Sequence, residues 1–135
     1  MTNQELITLA LEARKMAYTP YSNYKVGAAL LTKAGKVYKG CNIENAGYTP
    51  TNCAERTAFF KAVSEGEREF AAIAVVGGKG EAPVDYAWPC GVCRQVMMEF
   101  CNPKTFRVIT AISENEYVEK TLEEMLPHGF GPDNL

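Results

Sequence analysis

Two short stretches constrain this chain most. They are Thr51-Asn52-Cys53-Ala54-Glu55-Arg56 and Trp88-Pro89-Cys90-Gly91-Val92-Cys93. Each sets a thiol where a helix is expected to start. Asn52 is a strong helix-capping type, which predicts a helix from about Cys53 to Ser64, closed near Gly66. Pro89 suits a first helical turn, which predicts a second helix reaching about Phe100. Cys90 and Cys93 stand at i and i+3 and so share one face. Unpaired N–H groups and the macrodipole at a helix N-terminus favour thiolates. Three cysteines at two such ends can meet if the two ends face each other.

The rest of the pattern supplies a frame for that meeting. Thr2 with Glu5 fits a capping box, and Leu6, Leu9, Ala10, Ala13, Met16 and Ala17 follow a helical face. Thr19-Pro20-Tyr21-Ser22 ends that helix. Val26, Ala28 and Leu30 alternate as in a strand, Ala34-Gly35 turns, and Val37 to Ile43 returns. Phe70 to Val76 is apolar on both faces, as in a central strand. Phe106 to Ile112 reads as another strand and Tyr117 to Lys120 as a short one. Thr121 and Glu124 cap a last helix that Pro127 stops. The order α-β-β-α-β-α-β-(β)-α predicts an α/β fold, a mixed sheet covered by helices. No repeat or linker divides the 135 residues, which suit a single domain, 1–135.

Composition removes several function classes. Net charge is −2 at pH 7, and no basic cluster exceeds the pair Arg14-Lys15, which argues against nucleic acid as a partner. No run of 18 apolar residues exists, so no membrane span is expected. The N-terminus lacks the pattern of a signal peptide, which makes the cytoplasm the default location. Five cysteines, an odd number, do not read as a disulfide framework. The only histidine is His128, near the C-terminus, so a metal site or general base must come mostly from Cys, Asp and Glu.

Cys53, Cys90 and Cys93 are therefore candidate zinc ligands. Three protein ligands leave a tetrahedral ion one open position for water, the catalytic pattern. Bound zinc lowers the pKa of that water to about 7. Hydrolysis by that hydroxide then needs a proton carrier, and Glu55 is the nearest carboxylate in sequence. In an ideal helix, residues i and i+2 lie about 200° apart, so Cys53 and Glu55 converge only if the metal lies off the helix end. Arg56, hydrogen-bonded to a thiolate, would offset the negative charge. Two other readings stay open. Cys90-Gly91-Val92-Cys93 alone fits a redox pair, and Cys41 or Cys101 as fourth ligand would make the zinc structural.

Four motifs in order carry a resemblance. Cys53-Ala54-Glu55-Arg56 followed by Pro89-Cys90-Gly91-Val92-Cys93-Arg94-Gln95 resembles the zinc-dependent cytidine deaminases of the short, homotetrameric type. Tyr18–Leu30 and the ending Leu126–Leu135, with its Phe130-Gly131-Pro132, resemble that family too, so the likeness spans nearly the whole chain. It implies a three-layer fold with a mixed central sheet of about five strands flanked by helices. It implies zinc as cofactor and hydrolysis of cytidine and deoxycytidine to uridine and deoxyuridine with release of ammonia, in pyrimidine salvage. By the same resemblance Cys53, Cys90 and Cys93 bind zinc and Glu55 shuttles protons. Asn42 and Glu44 hold the ribose, Tyr24 packs against the base, and the backbone of Ala54 and Cys90 meets the pyrimidine edge. Tyr48 and Phe130 come from neighbouring subunits of a homotetramer with shared sites. Trp88 departs from the small residue usual before Pro89. A related family that deaminates nucleoside antibiotics shares the central motifs but not the Phe-Gly-Pro ending.

Overall fold

The computed structural model describes residues 1–135. Its elements are α1 (Asn3–Arg14), β1 (Tyr24–Thr32), β2 (Val37–Cys41), α2 (Ala54–Ser64), β3 (Phe70–Lys79), α3 (Gly91–Phe100), β4 (Arg107–Ser113), β5 (Glu116–Thr121) and α4 (Leu122–Met125). A 3-10 turn, Pro132–Asn134, follows. The five strands form one sheet in the order β2-β1-β3-β4-β5. Only β3 and β4 run parallel, joined through α3, and every other pair is antiparallel. This is the expected mixed sheet, with β3 at its centre.

Alternate residues of the strands feed two cores. Ala28, Leu30, Ile73, Val75 and Val108 face α2, α3 and α4 with Phe59, Met97 and Phe106. Ala29, Leu31, Ala72, Ala74, Ile109 and Ala111 face α1 through Leu6, Ile7 and Ala10. Both faces are covered, so β1 reads as a continuous apolar run past Val26 and Gly27 instead of alternating with polar residues. Phe59 anchors the first core, with its ring centroid 5.1 Å from that of Phe70 and 6.1 Å from that of Phe106.

Two glycines set how closely helices approach this sheet. A Cβ on Gly27 would stand 2.1 Å from the Ala10 carbonyl oxygen and 2.4 Å from the Arg14 nitrogen. A Cβ on Gly40 would stand 2.4 Å from the Ala54 oxygen and 2.6 Å from the Ala58 nitrogen. All four obstacles are helix backbone, which cannot turn aside as a side chain can. Gly27 thus seats α1 on one face, and Gly40 seats the first turns of α2 on the other.

Three helix boundaries differ from expectation. Helix α1 stops at Arg14, and Met16 is 76% exposed, because the chain turns away to pair Tyr18 with Asn42 and Ile43. Thr2 caps α1 by accepting from the Glu5 N–H. Asn52 is not the cap of α2, since its backbone is already exchanged with Ile43; Cys53 takes the position. Pro89 lies just before the cap of α3, which is Cys90. The capping box of Thr121 and Glu124 forms as expected.

Gly27→Ala is expected to destabilise the protein by about 1–3 kcal/mol or more, because α1 must move off the sheet. Gly91→Ala, where an added methyl meets nothing within 4 Å, should change stability by less than about 0.5 kcal/mol. Denaturant midpoints at constant m-value check both.

Candidate active site

The N-termini of α2 and α3 come together beside a cleft that Val75 of β3 also lines. Cys53 and Cys90 are the two N-cap residues, both in extended backbone, and neither side chain caps its own helix. Their sulfurs are 3.8 Å apart. Cys93, two residues further into α3 than its first residue, completes a cluster whose three sulfurs all lie within 4.8 Å of one another. The cap position of Cys53 also settles its convergence with Glu55. An N-cap residue is off the helix, so the angle of an ideal helix does not separate them, and both line one cleft.

The donor set fits zinc. Three soft sulfur ligands at two positively polarised helix ends suit that ion, and no fourth His, Cys, Asp or Glu joins the group. Cys101 is buried in the core, and Cys41 lies in a separate groove with Glu12, Lys39 and Lys61. Neither supplies a fourth ligand, which removes the closed structural site. All five cysteines are free thiols. The three-thiol cluster leaves the redox-pair reading without an account of Cys53.

Charge in the cluster is graded. The Cys53 thiol is lowered to about 5, first by a hydrogen bond from Cys93, against the opposing effect of burial, and with help from Arg56. Cys93, which keeps the shared proton, moves up. Arg56 donates from Nη2 to the Cys53 sulfur at 3.0 Å. Burial alone would lower this arginine, but the two thiols raise it overall. Its Nε is buried with no partner in the protein. Glu55 is only 4% exposed. Burial pushes its carboxyl up to about 7, and the negative Cys53 adds to the rise.

The cleft beside the cluster measures ≈ 220 Å³. It gathers Tyr24, Asn42, Cys53, Ala54, Glu55 and Cys90 from among the residues expected at a site. Asn42 has a structural task as well. Its Oδ1 accepts from the Val26 N–H at 2.9 Å and its Nδ2 donates to the Tyr24 carbonyl at 2.8 Å, which fixes the start of β1. Glu44 lies in an adjoining groove of ≈ 350 Å³ with Tyr21, Ser22 and Tyr48, and Thr51 lines both. The Glu44 carboxyl is lowered by the Ser22 hydroxyl, which opposes its partial desolvation, and by the N–H groups of Tyr21 and Ser22. Tyr48 is held at φ 61°, a left-handed backbone unusual for an aromatic residue, and its side chain is exposed. Phe130 does not reach the cleft of its own chain. Its carbonyl accepts from Gln95 Nε2 at 2.8 Å, while the residue stays 58% exposed.

A further wall was not named from sequence, apart from Trp88 as a departure. It consists of Tyr86, Ala87 and Trp88, with the two aromatic rings 6.2 Å apart and tilted by 43°. The buried Thr110 hydroxyl donates to the Ala87 carbonyl at 3.0 Å, and Arg94 Nε donates to the Pro89 carbonyl at 2.7 Å. No periodic pattern announces this wall, because it depends on a loop that returns to bridge Asp85 to Gly77.

Comparison with known proteins agrees with this geometry. Residues 1–110 match the family described as the cytidine and deoxycytidylate deaminase zinc-binding region. The chain is 50% identical to the cytidine deaminase of Sporosarcina psychrophila over 135 residues, covering 100% of this chain and 96% of that one. It is also 50% identical to the cytidine deaminase of Halalkalibacterium halodurans, covering 100% of this chain and 98% of that one. The crystal structure of cytidine deaminase from Burkholderia pseudomallei superposes with a TM-score of 0.86 at 49% identity, covering 96% of this chain and all of that one. With the same mixed sheet and three clustered thiols, this chain belongs to the cytidine and deoxycytidylate deaminase family.

Proposed function

We propose that this chain is a single-domain, zinc-dependent cytidine deaminase that hydrolyses cytidine and deoxycytidine to the uridine nucleosides and ammonia. The observation that carries the reading is the buried Glu55 carboxyl, which lines one cleft with Cys53 and Cys90, two of the three clustered thiols. Cys53, Cys90 and Cys93 hold the zinc, which when bound supplies hydroxide at neutral pH. Glu55 carries the protons: one to the ring nitrogen as the 4-carbon is attacked, and one to the departing amine. A carboxyl poised near neutrality suits a group that must both take and give a proton. Arg56 offsets charge at Cys53.

The walls support a free nucleoside as substrate. Neither the cleft nor the adjoining groove has a lysine or arginine to hold a phosphate. Glu44 is an anion whose oxygens already accept three hydrogen bonds, which leaves room for a sugar hydroxyl and repels a phosphate. In this reading Asn42 and Glu44 hold the ribose, Tyr24 packs on the base, and the backbone of Ala54 and Cys90 meets the pyrimidine edge. Uridine production from cytidine places the enzyme in pyrimidine salvage, and a cytoplasmic location keeps its thiols reduced.

The assembly follows from what the cleft lacks. At ≈ 220 Å³ it is smaller than ordinary ligand pockets of roughly 300–1,000 Å³. Neither Tyr48 nor Phe130 lines it, and both side chains are exposed. A homotetramer in which these two side chains complete the sites of neighbouring subunits accounts for both facts, with Phe130 stacked on the base at a gain of about 1–3 kcal/mol.

Three outcomes are expected. Metal analysis should find about one zinc per chain, and Cys53→Ala should lose both the metal and part of the stability, since zinc binding is coupled to folding; full occupancy in that variant would reject the ligand set. Glu55→Gln should keep zinc while turnover of cytidine, followed by absorbance, falls at least about 10²–10⁴-fold; retention of a tenth of the rate would remove Glu55 as proton carrier. Phe130→Ala should raise KM and spare zinc. Mixing it with Glu55→Gln subunits, with exchange verified by native mass spectrometry, should give more activity than the two variants sum to. Strict additivity would mean that Phe130 serves its own chain.

A further inference from the structure

Arg14 is the last residue of α1 and is buried, yet no carboxylate pairs with it. The two ion pairs of the molecule, Lys39–Glu12 and Arg107–Glu119, lie elsewhere. The guanidinium donates only to backbone carbonyls. Nε reaches Lys25 at 3.1 Å, Nη2 reaches Gly78 at 2.7 Å and Gly80 at 3.0 Å, and Nη1 reaches Glu81 at 3.1 Å. A buried charge is costly unless its donors are matched, and here nearly every donor of the fork is used. Gly80, at φ +82°, adopts a backbone that favours glycine, which lets the chain bend round the cation.

The acceptors belong to the two segments from which the walls of the cleft arise. Lys25 follows Tyr24, the first residue of β1 and part of one wall. Tyr24 in turn pairs with Lys79, at the end of β3. Beyond Lys79 the chain loops out through Gly80 and Glu81 and returns at Asp85, which bridges back to Gly77. Tyr86, Ala87 and Trp88, the second wall, follow at once. One side chain therefore joins the root of the Tyr24 wall to the root of the Tyr86–Trp88 loop.

We propose that Arg14 is a positioning residue for substrate binding: it sets the separation between Tyr24 and the Tyr86–Trp88 wall, and so the grip of the cleft on the pyrimidine ring. It touches neither substrate nor metal ligands. A lysine keeps the charge but lacks the planar fork, so it cannot reproduce four directed bonds. The kinetic consequence rests on the cytidine deaminase reading; the position of the wall does not.

Trp88 is the only tryptophan in the chain and reports on the wall directly. The test uses zinc-loaded wild-type, Arg14→Lys and Arg14→Met protein. Zinc content and far-ultraviolet circular dichroism should be unchanged. Trp88 emission should shift to the red and be quenched more readily by acrylamide, most in Arg14→Met. KM for cytidine should rise by about tenfold while kcat stays within about twofold, the pattern of lost binding and not of lost chemistry. If Arg14→Met does not fold, Arg14→Lys carries the same readouts. Unchanged Trp88 emission and quenching in a folded variant would overturn the proposal, even with a lowered Tm, and leave Arg14 a stability clamp. Altered Trp88 signals in protein that never deaminates cytidine, wild type included, would uphold the positioning and reject the substrate.

Discussion

Two helix ends pointing at each other are the constraint on which the rest depends. The N-terminus of a helix carries roughly half a positive charge, so bringing α2 and α3 end to end is unfavourable unless negative groups sit between them. Sulfurs at the two caps, Cys53 and Cys90, with Cys93 one turn inside, meet that need, and the Cys53 thiol is lowered to about 5. They also make a soft, three-coordinate metal site without using the single histidine. The surrounding fold holds the two ends in place. α2 is seated by its close approach to Gly40, and α3 follows from its position as the crossover between the parallel strands β3 and β4.

Arginines then do different work around this centre. Arg56 sits at the sulfur of Cys53 and lowers that thiol, adding to the effect of the Cys93 hydrogen bond. Arg94 ties the carbonyl of Pro89 to that of Met125 at 2.7 Å each, so the start of α3 and the end of α4 move as one body. Arg14 gathers four carbonyls on the far side of the sheet. In each case the planar fork makes directed contacts that a lysine cannot duplicate.

Much of this was legible in the chain because it is local. The spacing of Cys90 and Cys93, the capping box of Thr121 and Glu124 and the two-faced apolar run of β3 are properties of neighbouring residues. What escaped was non-local. Asn52 has the right chemistry for a cap, but its backbone is claimed by Ile43, nine residues away, and the cap passes to Cys53. Met16 and Ala17 continue the period of α1, yet pairing of Tyr18 with Asn42 draws the chain off the helix. The guanidinium cage of Arg14 exists only once β1 and β3 are side by side, and the Tyr86–Trp88 wall only once the loop after β3 has folded back to Gly77. A buried arginine leaves no periodic signal, since its partners are carbonyls that every residue carries.

Two carboxylates in adjoining hollows show how the fold assigns opposite tasks to one functional group. Glu55 is buried beside a negative sulfur, and both influences favour its protonated form, which brings it to about 7. Glu44 accepts from a hydroxyl and two backbone N–H groups, and those bonds favour its ionised form. The difference comes from backbone placement. Glu55 is the second residue of α2, directed into the cleft floor where no hydroxyl or free N–H meets it except those of its own helix end. Glu44 follows Ile43 out of the sheet and meets the Tyr21–Ser22 turn, which offers donors. Exchanging the two environments would leave a fixed anion beside the three thiols and a proton-bearing acid in the outer groove. A carboxyl poised near neutrality is thus a consequence of burying the glutamate two residues after Cys53.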